Sequence, residues 1–382
     1  MTFYWNKPVP MTAPNSAPLE KPRFTVDLDK VRRNIAGMAD KFQRHGVGFR
    51  PHFKTHQCAA IGELFRKVGV SAITVSSLDM ASYFHQSGWD DITLAVPVNP
   101  GQLEAINRLA GQTRLNLLVD SLETTRQLND SLDVSCPVWV KVDVGYGRVG
   151  IRWHKQQAIL DLIEWIDKAP RLELLGLLTH SGHSYGCRGR GEVAACFEEG
   201  RLRMLELKRF LQDHGHEVKV SMGDTPSASL AEQFEGVDEM RPGNFVFYDL
   251  FQSQVGSCGL EDIAVATACP VIGKYEDELK LVVYGGSIHL SKDSVHIDGE
   301  RLFGQLALPD GKGWAIVPLQ EGKLTSCCQE VSKIQVSPGV FEQIELGQCV
   351  YILPVHSCLA ADLYPRYATL DGDLLERFRL FS

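Results

Sequence analysis

The stretch FRPHFKTHQ, residues 49–57, places a lysine at the end of an apolar run. Lys54 follows VGFRPHF, whose composition is that of a buried strand. A lysine in that position is either a surface residue reached by a bend or an amine positioned for chemistry. The other polar stretches of the chain decide between these two interpretations.

Four more polar stretches follow predicted strands: DVGYGRVG (143–150), THSGHSYG (179–186), SMGDTPS (221–227) and RPGNFVFYD (241–249). Any one of them alone is typical of a solvated loop. In a parallel barrel, however, the loops that follow the strands meet at one end, and functional groups cluster there. Together with the Lys54 stretch, they favour a single site.

The turn GYGRVG matches G-x-G-x-x-G through Gly145, Gly147 and Gly150, a pattern found in dinucleotide-binding proteins. The match lies in the middle of the chain, and no acidic residue ends the next strand about twenty residues later. Both observations argue against a dinucleotide site. Arg148, inside this turn, is a better candidate for binding an oxyanion.

The stretches SMGDTPS and RPGNF have the composition of phosphate-binding loops. Glycines let backbone N–H groups approach an anion, Thr and Ser add hydroxyl donors, and a following helix adds its positive end. Each is also compatible with an ordinary turn and helix cap. Barrels commonly bind phosphate at the loops after strands seven and eight, where these two fall. A phosphate site opposite Lys54 suggests pyridoxal phosphate, whose aldehyde forms a Schiff base with an amine.

The elements that must position these loops recur from about residue 28 to 250. Eight apolar runs, each followed by a helical pattern or closing the series, predict an α/β fold of the (β/α)8 TIM-barrel type; a doubly wound open sheet is the alternative. After about residue 260, short strands separated by turn residues predict a C-terminal β-domain. The expected boundaries are an arm over 1–25 that packs on the β-domain, a barrel over 26–258 and a β-domain over 259–382.

Composition limits the partners and the compartment. The apolar share of 44% and charged share of 23% are those of a globular protein, and the formal net charge of −8 disfavours nucleic acid or an anionic membrane as partner. No stretch has the ~20 apolar residues of a membrane span, and the N-terminus lacks a signal-peptide pattern. Ten scattered cysteines favour reduced thiols and a cytoplasmic location.

Taken together, RPHFKTH, GYGRVG, HSGHSYG, GDTPS and RPGNFVFYD resemble the barrel-fold pyridoxal-phosphate enzymes that include D-serine dehydratase, D-threonine aldolase and hydroxyaspartate lyases. The resemblance runs from about residue 20 to the C-terminus. It implies a barrel like that of alanine racemase, a β-domain, and a homodimer with two sites near its interface. It also implies cofactor contacts for six residues: Lys54, Arg148, Tyr185, Thr225, Gly243 and Asn244.

The resemblance assigns these residues different tasks. Lys54 would carry the aldehyde carbon, and with Tyr185 it is a catalytic candidate. Arg148 would lie near the phenolic oxygen of the cofactor. The phosphate would be held by the other three residues.

A second candidate site lies in PVHSCLAADLY (354–364). His356 and Cys358 are two residues apart, so on an extended chain both side chains point to the same side. Imidazole and thiolate suit zinc, although such residues taken alone are more often core residues. The dehydratases that the chain resembles carry His-x-Cys here as zinc ligands, whereas the aldolases typically carry His and Asp. In YGGSIHLSKD (284–293), His289 stands near a lysine of many relatives, and either a substrate contact or a structural role fits it.

The expected activity is that of a pyridoxal-phosphate- and metal-dependent lyase acting on β-hydroxy D-amino acids, with a small-molecule D-amino acid as the partner. Cys358 favours a D-serine- or D-threonine-type dehydratase, which releases ammonia and a 2-keto acid. The alternatives are an aldolase that gives glycine and an aldehyde, an amino-acid racemase, and a non-catalytic pyridoxal-phosphate carrier. A carrier needs neither the β-domain nor the His-x-Cys pair.

Overall fold

The computed structural model describes residues 19–379. Residues 1–18, most of the expected N-terminal arm, lie outside this range. By their internal contacts, the described residues form a barrel unit (28–264 with 375–379) and a β unit (19–27 with 265–374). No helix within the described range combines the length and the hydropathy needed to cross a membrane. The ten cysteines, all inside this range, form no disulfide.

The strands are numbered along the chain. They are β1 (Arg23–Val26), β2 (Gly48–Phe49), β3 (Ile73–Val75), β4 (Asp91–Pro97), β5 (Arg114–Val119), β6 (Cys136–Asp143), β7 (Ile151–Arg152), β8 (Leu172–Leu178), β9 (Lys219–Met222), β10 (Glu239–Met240), β11 (Val265–Tyr275), β12 (Lys280–Tyr284), β13 (Val295–Ile297), β14 (Glu300–Leu302), β15 (Gly304–Asp310), β16 (Gly313–Ile316), β17 (Gly322–Cys327), β18 (Val331–Val336), β19 (Cys349–Pro354), β20 (Arg366–Thr369) and β21 (Leu374–Glu376).

The helices are numbered in the same way. They are α1 (Leu28–His45), α2 (Ala59–Arg66), α3 (Leu78–Gln86), α4 (Leu103–Ala110), α5 (Leu122–Ser131), α6 (Gln156–Ile166), α7 (Gly189–Asp213), α8 (Thr225–Leu230), α9 (Leu250–Val255), α10 (Ser287–Leu290), α11 (Pro338–Gln343) and α12 (Ser357–Asp362). Short 3₁₀ helices lie at Pro100–Gln102, Gly182–Gly186, Asn244–Val246, Leu260–Asp262 and Glu276–Glu278.

Eight parallel strands of the barrel unit form a closed sheet in the order β2-β10-β9-β8-β6-β5-β4-β3. The ring closes where His52 bridges Thr74, with the Phe53 N–H donating to Thr74 O at 2.8 Å and the Thr74 N–H to Pro51 O at 2.9 Å. These strands are the eight apolar runs of the sequence. The predicted (β/α)8 barrel followed by a β-domain is therefore confirmed.

Local sequence explains where the barrel helices lie and where they begin. Helix α1 buries Val31, Ile35, Met38 and Phe42, the three-to-four-residue spacing of one helix face. Helices α3, α5, α8 and α9 each start after a side chain that accepts a backbone N–H of the first turn; these caps are Ser77, Ser121, Asp224 and Asp249. The caps end the βα loops at defined residues, which holds the carboxyl-end loops in place.

The barrel interior contains a polar network rather than apolar side chains alone. Arg50 donates to the carboxylates of Asp91 (2.6 Å) and Glu239 (2.9 Å), the first residues of β4 and β10. Ser221 Oγ donates to Glu239 (2.7 Å) and accepts from Nε of the buried Arg241 (2.7 Å). A continuous chain of charged and hydroxyl groups thus connects the amino ends of the strands to Arg241.

The sheet of the β unit runs in the order β12-β18-β17-β15-β19-β11-β1-β20. An additional antiparallel pairing of β11 with β12 closes six of these strands around a core that includes Leu281, Leu306, Leu324, Ile334 and Ile352. Strand β1 pairs antiparallel with β11 and parallel with β20. The apolar run FTVDL (24–28), which precedes the eight barrel runs, therefore contributes its first three residues to this sheet and not to the barrel.

The chain returns to the barrel unit after Leu374, which differs from the expected β-domain boundary at the C-terminus. Arg377 donates to Oε1 of Gln57 at 2.7 Å, and the Phe378 N–H donates to the carbonyl oxygen of Gln57 at 2.7 Å. The Phe378 ring also packs 5.6 Å from that of Tyr83. These contacts hold the segment against the residues that follow Lys54.

Candidate active site

Lys54 lies in a tight turn at the carboxyl end of the barrel. Its N–H donates to Nδ1 of His52 at 3.3 Å, and Gln57 Nε2 donates to its carbonyl oxygen at 3.1 Å. Gln57 itself has a φ of 47°, in the left-handed region. The backbone of this turn is therefore held on both sides of Lys54, while the lysine side chain is exposed.

The loop around Gly243 lies directly against the Lys54 turn. The His52 N–H donates to Pro242 O at 2.8 Å, and a Cβ on Gly243 would stand 2.9 Å from His52 O. Only a glycine lets the two backbones approach this closely. The chain thereby brings a predicted phosphate-binding loop within two residues of Lys54.

The three residues predicted to hold the phosphate lie together. Thr225 Oγ1 accepts from the Phe245 N–H at 3.3 Å, so the first residue of α8 contacts the residue after Asn244. Asn244 Nδ2 donates to Asp249 Oδ2 at 2.7 Å, the cap of α9. Both predicted loops thus form one hydrogen-bonded surface.

This surface carries donors that suit an anion. Thr225 and Gly243 are buried, and their N–H groups meet no acceptor within residues 19–379. Buried N–H groups are nearly always paired in proteins, so a bound anion is the natural partner for this pair. The residues fit the phosphate of a cofactor.

Positive charge surrounds the adjoining part of the barrel end. Lys141 and Arg241 are buried, and Arg241 also donates to Thr179 O at 2.5 Å. Burial, reinforced by the charges of Arg241 and Arg148, lowers the pKa of the Lys141 amine to about 7. Burial likewise lowers the pKa of Arg241, to about 10. The cluster favours binding of anionic groups.

The turn that carries Arg148 is closed by its own carboxylate. Asp143 Oδ1 accepts the N–H groups of Gly145 and Gly147, both at 3.0 Å. Because Asp143 already accepts these N–H groups, they stabilise the turn and are not available to bind the phosphate of a dinucleotide. Arg148 is exposed, with its guanidinium 5.2 Å from the ring centre of Tyr146.

His180 is held as a neutral imidazole. Its Nδ1 lies 2.7 Å from Gly223 O, which accepts only, so Nδ1 carries the proton and Nε2 is an acceptor. Burial, reinforced by the nearby Lys141 and Arg148, lowers the pKa of His180 to about 3. Burial also lowers the pKa of His52 well below its usual range. Both imidazoles are therefore uncharged at neutral pH.

Tyr185 belongs to the same end of the barrel. Its ring centre lies 6.2 Å from that of Phe251 in a stacked arrangement and 6.3 Å from that of His180. The neighbouring Ser184 donates to Oδ1 of Asp224 at 2.8 Å, which ties the Tyr185 turn to the start of α8. The predicted residues of the barrel are thus placed around one set of loops.

Four further residues of this site were missed in the sequence: His52, Lys141, His180 and Arg241. Lys141 and Arg241 are charged residues in or next to buried strands, and that signal could have found them. His52 lies in FRPHFKTHQ and His180 in THSGHSYG, but neither matches a motif. These four residues are far apart in the sequence, and they come close together only when the strands form the barrel.

The predicted metal ligands lie in the β unit, in a different local structure from the one expected. Strand β19 ends at Pro354, His356 is the residue that precedes α12, and Cys358 lies in the first turn of α12. The pair is therefore not on an extended chain, because the helix begins between them. His356 Nδ1 lies 3.5 Å from Oδ2 of Asp293.

His356 and Cys358 could supply two ligands to a metal ion whose other coordination positions are filled by water or substrate. Within residues 19–379 no three His, Cys, Asp or Glu side chains are grouped as metal ligands. One imidazole and one thiol are nitrogen and sulfur donors of the kind zinc prefers, and water or substrate would complete the coordination. His289 makes a structural contact, since its Nδ1 accepts the Gly286 N–H at 3.3 Å.

Comparison with known proteins agrees with this architecture. The alanine racemase N-terminal domain family matches residues 26–250, and the serine dehydratase domain family matches residues 264–370. D-threo-3-hydroxyaspartate dehydratase of Delftia sp. (strain HT23) is 30% identical over 93% of this chain and 95% of its own length. D-serine dehydratase of Dictyostelium discoideum is 30% identical over 90% of this chain and 91% of its own.

A solved structure supports the same grouping. The metal-free form of a cysteine-to-alanine variant of D-threo-3-hydroxyaspartate dehydratase superposes with a TM-score of 0.87 at 29% identity, covering 94% of this chain and 98% of the other. Fold and site thus define a barrel-fold (fold type III) pyridoxal-phosphate enzyme. More narrowly, the chain belongs to the family in which an alanine racemase N-terminal domain is joined to a serine dehydratase domain, together with D-serine and D-threo-3-hydroxyaspartate dehydratases.

Proposed function

We propose that this protein is a pyridoxal-phosphate- and metal-dependent dehydratase that converts a β-hydroxy D-amino acid into a 2-keto acid and ammonia. The observation that carries the proposal is the contact between the Lys54 turn and the loop with the buried Gly243 N–H. It pairs an amine with an anion-binding surface, as a phosphorylated aldehyde requires. The full-length similarity to two dehydratases supports the reaction.

Thr225, Gly243 and Asn244 would hold the phosphate through N–H groups, and Lys54 would carry the aldehyde carbon. Arg148 would lie at the phenolic oxygen, and Tyr185 would contact cofactor or substrate. When bound, pyridoxal phosphate supplies an electron sink for charge at the substrate Cα. These proposed cofactor contacts are the six that the sequence resemblance implies.

Lys54 is also the proposed base for the Cα proton, because a lysine amine released from the aldehyde carbon accepts a proton. Because His52 and His180 are neutral, neither places a positive imidazolium charge near the Lys54 amine, where it would oppose protonation of that amine. Arg241, together with the partly protonated Lys141, would keep the surroundings positive for the anionic substrate. The chain thus supplies a base, an anion site and fixed charge.

His356 and Cys358 would bind a divalent metal, and we propose zinc. When bound, such an ion acts as a Lewis acid that eases departure of the β-hydroxyl group as hydroxide. A cysteine-to-alanine variant of D-threo-3-hydroxyaspartate dehydratase was solved in a metal-free form, which supports metal binding in a relative. We also propose a homodimer as the working form, which light scattering of the purified protein would test.

A product assay tests the reaction. D-threo-3-hydroxyaspartate, D-serine and D-threonine would be supplied separately to the metal- and cofactor-loaded protein, with Lys54→Ala as the inactive control. We expect ammonia and 2-keto acid in equal amounts from at least one substrate, since loss of water and hydrolysis of the enamine release both. Glycine and an aldehyde without ammonia would establish the aldolase instead. The aldolase is the second candidate because both reactions begin from a β-hydroxy D-amino acid.

A further inference from the structure

Asp293, the last residue of the YGGSIHLSKD stretch, stands beside a proposed metal ligand, although the sequence assigned it no role. It follows helix α10, which packs against α12, and its Oδ2 lies 3.5 Å from Nδ1 of His356. The two residues are 63 positions apart in the chain. Their contact is created by the fold of the β unit.

The turn that presents Asp293 is held on several sides. Ser291 has a φ of 70° and is buried, and its hydroxyl donates to Oδ2 of Asp293 at 3.0 Å. The Asp293 N–H in turn donates to the oxygen of the same Ser291 hydroxyl at 3.3 Å. Lys292 Nζ donates to Cys327 O at 3.0 Å. A carboxylate fixed in this way has a defined position at the imidazole.

We propose that Asp293 is the positioning residue of the metal site: its carboxylate accepts a hydrogen bond from the Nδ1–H group of His356 and so commits Nε2 to the metal. The two nitrogens lie on opposite sides of the imidazole, so a carboxylate at Nδ1 fixes the tautomer and orients the ring. Metal-binding histidines are usually held by such a partner, and its loss typically costs 10- to 100-fold in metal affinity.

This assignment rests on the proposed metal site. In it Asp293 orients His356 and is not itself a third metal ligand. Within residues 19–379 no three-membered group of metal-binding side chains includes Asp293. Its carboxylate contacts the ring nitrogen instead. A positioning residue should therefore act only through His356, whereas a ligand should change the coordination of the metal itself.

The first measurement is zinc affinity, from competition with a chromophoric chelator. We expect Asp293→Ala to bind zinc about 10- to 100-fold more weakly than wild type. Asp293→Asn should fall in between, because the amide oxygen still accepts a hydrogen bond and the side-chain shape is kept. Asp277→Ala is the matched control, an exposed aspartate of the same unit, and should bind like wild type. Unchanged affinity in Asp293→Ala would overturn the inference.

The second measurement reads the imidazole directly. In ¹⁵N-histidine spectra of the metal-free protein at about pH 8.5, where histidine is neutral, the His356 signals are those absent from His356→Gln. We expect Nδ1 to be protonated in wild type and the proton to redistribute to Nε2 in Asp293→Ala. An unchanged tautomer with an altered spectrum of the cobalt-substituted protein would make Asp293 a ligand and refute the inference. Failure of wild type to bind zinc at all would refute the proposed metal site, and the positioning role with it.

Discussion

The close approach of Gly243 to the Lys54 turn leads to a quantitative prediction for Gly243→Ala. Gly243 has φ −132° and ψ −52°, so the conflict is steric rather than a matter of positive φ. The new Cβ would meet His52 O at 2.9 Å, His52 Cβ at 3.0 Å and Thr55 Oγ1 at 3.4 Å. Two of these atoms belong to His52, whose N–H is bonded to Pro242 O, so the loop and the turn must separate.

Overpacking of this kind costs about 1–3 kcal/mol. If separation of the loops removes that free energy from cofactor binding, the affinity for pyridoxal phosphate falls about 5- to 150-fold, at about 1.4 kcal/mol per tenfold change. Titration of the cofactor-free protein with pyridoxal phosphate, followed by absorbance, gives the affinity. Circular dichroism before the titration checks that the fold is kept.

Gly37→Ala is the matched control, because a Cβ at Gly37 in helix α1 meets nothing within 4 Å. This variant should bind the cofactor normally and be more stable by up to about 1 kcal/mol, since alanine is the better helix former. Wild-type affinity in Gly243→Ala would refute the reasoning that this contact sets the distance between the loop and the lysine.

Three further predictions concern buried and half-buried polar groups of the barrel unit. Thr225→Val removes the acceptor of the Phe245 N–H, so we expect a loss of about 1–3 kcal/mol in urea unfolding and weaker cofactor retention, whereas Thr225→Ser should keep both. Arg50→Ala leaves the carboxylates of Asp91 and Glu239 without their shared cation and should cost about 3–5 kcal/mol in the same assay.

The third of these predictions is a pH dependence. The folded protein releases the Lys141 proton above about pH 7, whereas the unfolded chain keeps it to about pH 10. Unfolding therefore takes up a proton in that window, and the free energy of unfolding of the cofactor-free protein should rise with pH across it. Lys141→Met should flatten the rise and be more stable at pH 7 by up to about 4 kcal/mol. The same slope in both proteins would contradict the assignment.

Much of the barrel was predictable because its strands are apolar on both faces and are separated along the chain by segments with helical periodicity. The residues around Lys54, Thr225 and Gly243 stand in local stretches whose composition already suggests an amine and an anion site. Strand β1 shows the limit of such patterns. FTVDL looks like any barrel strand, and only its pairing with β11 and β20 assigns it to the β unit.

The remaining features depend on contacts between distant parts of the chain. Lys141 lies in an apolar run, and its low pKa arises from burial and from Arg241, which is 100 residues away. Asp293 meets His356 only because α10 and α12 pack together. The extended geometry expected at His356 and Cys358 was wrong because a helix starts after His356. Histidine is not a typical residue at a helix start, and its side chain makes no cap hydrogen bond here, so the local sequence contained no signal for this helix.

The most direct test of the account is to find which lysine carries pyridoxal phosphate. Borohydride reduction of the loaded protein fixes the cofactor to its lysine, and peptide mapping then locates the label. Lys141 is a real competitor, because its pKa of about 7 leaves much of its amine neutral at physiological pH. We predict the label on Lys54, whose turn contacts the Gly243 loop. A label on Lys141, or on any other lysine, would contradict the account.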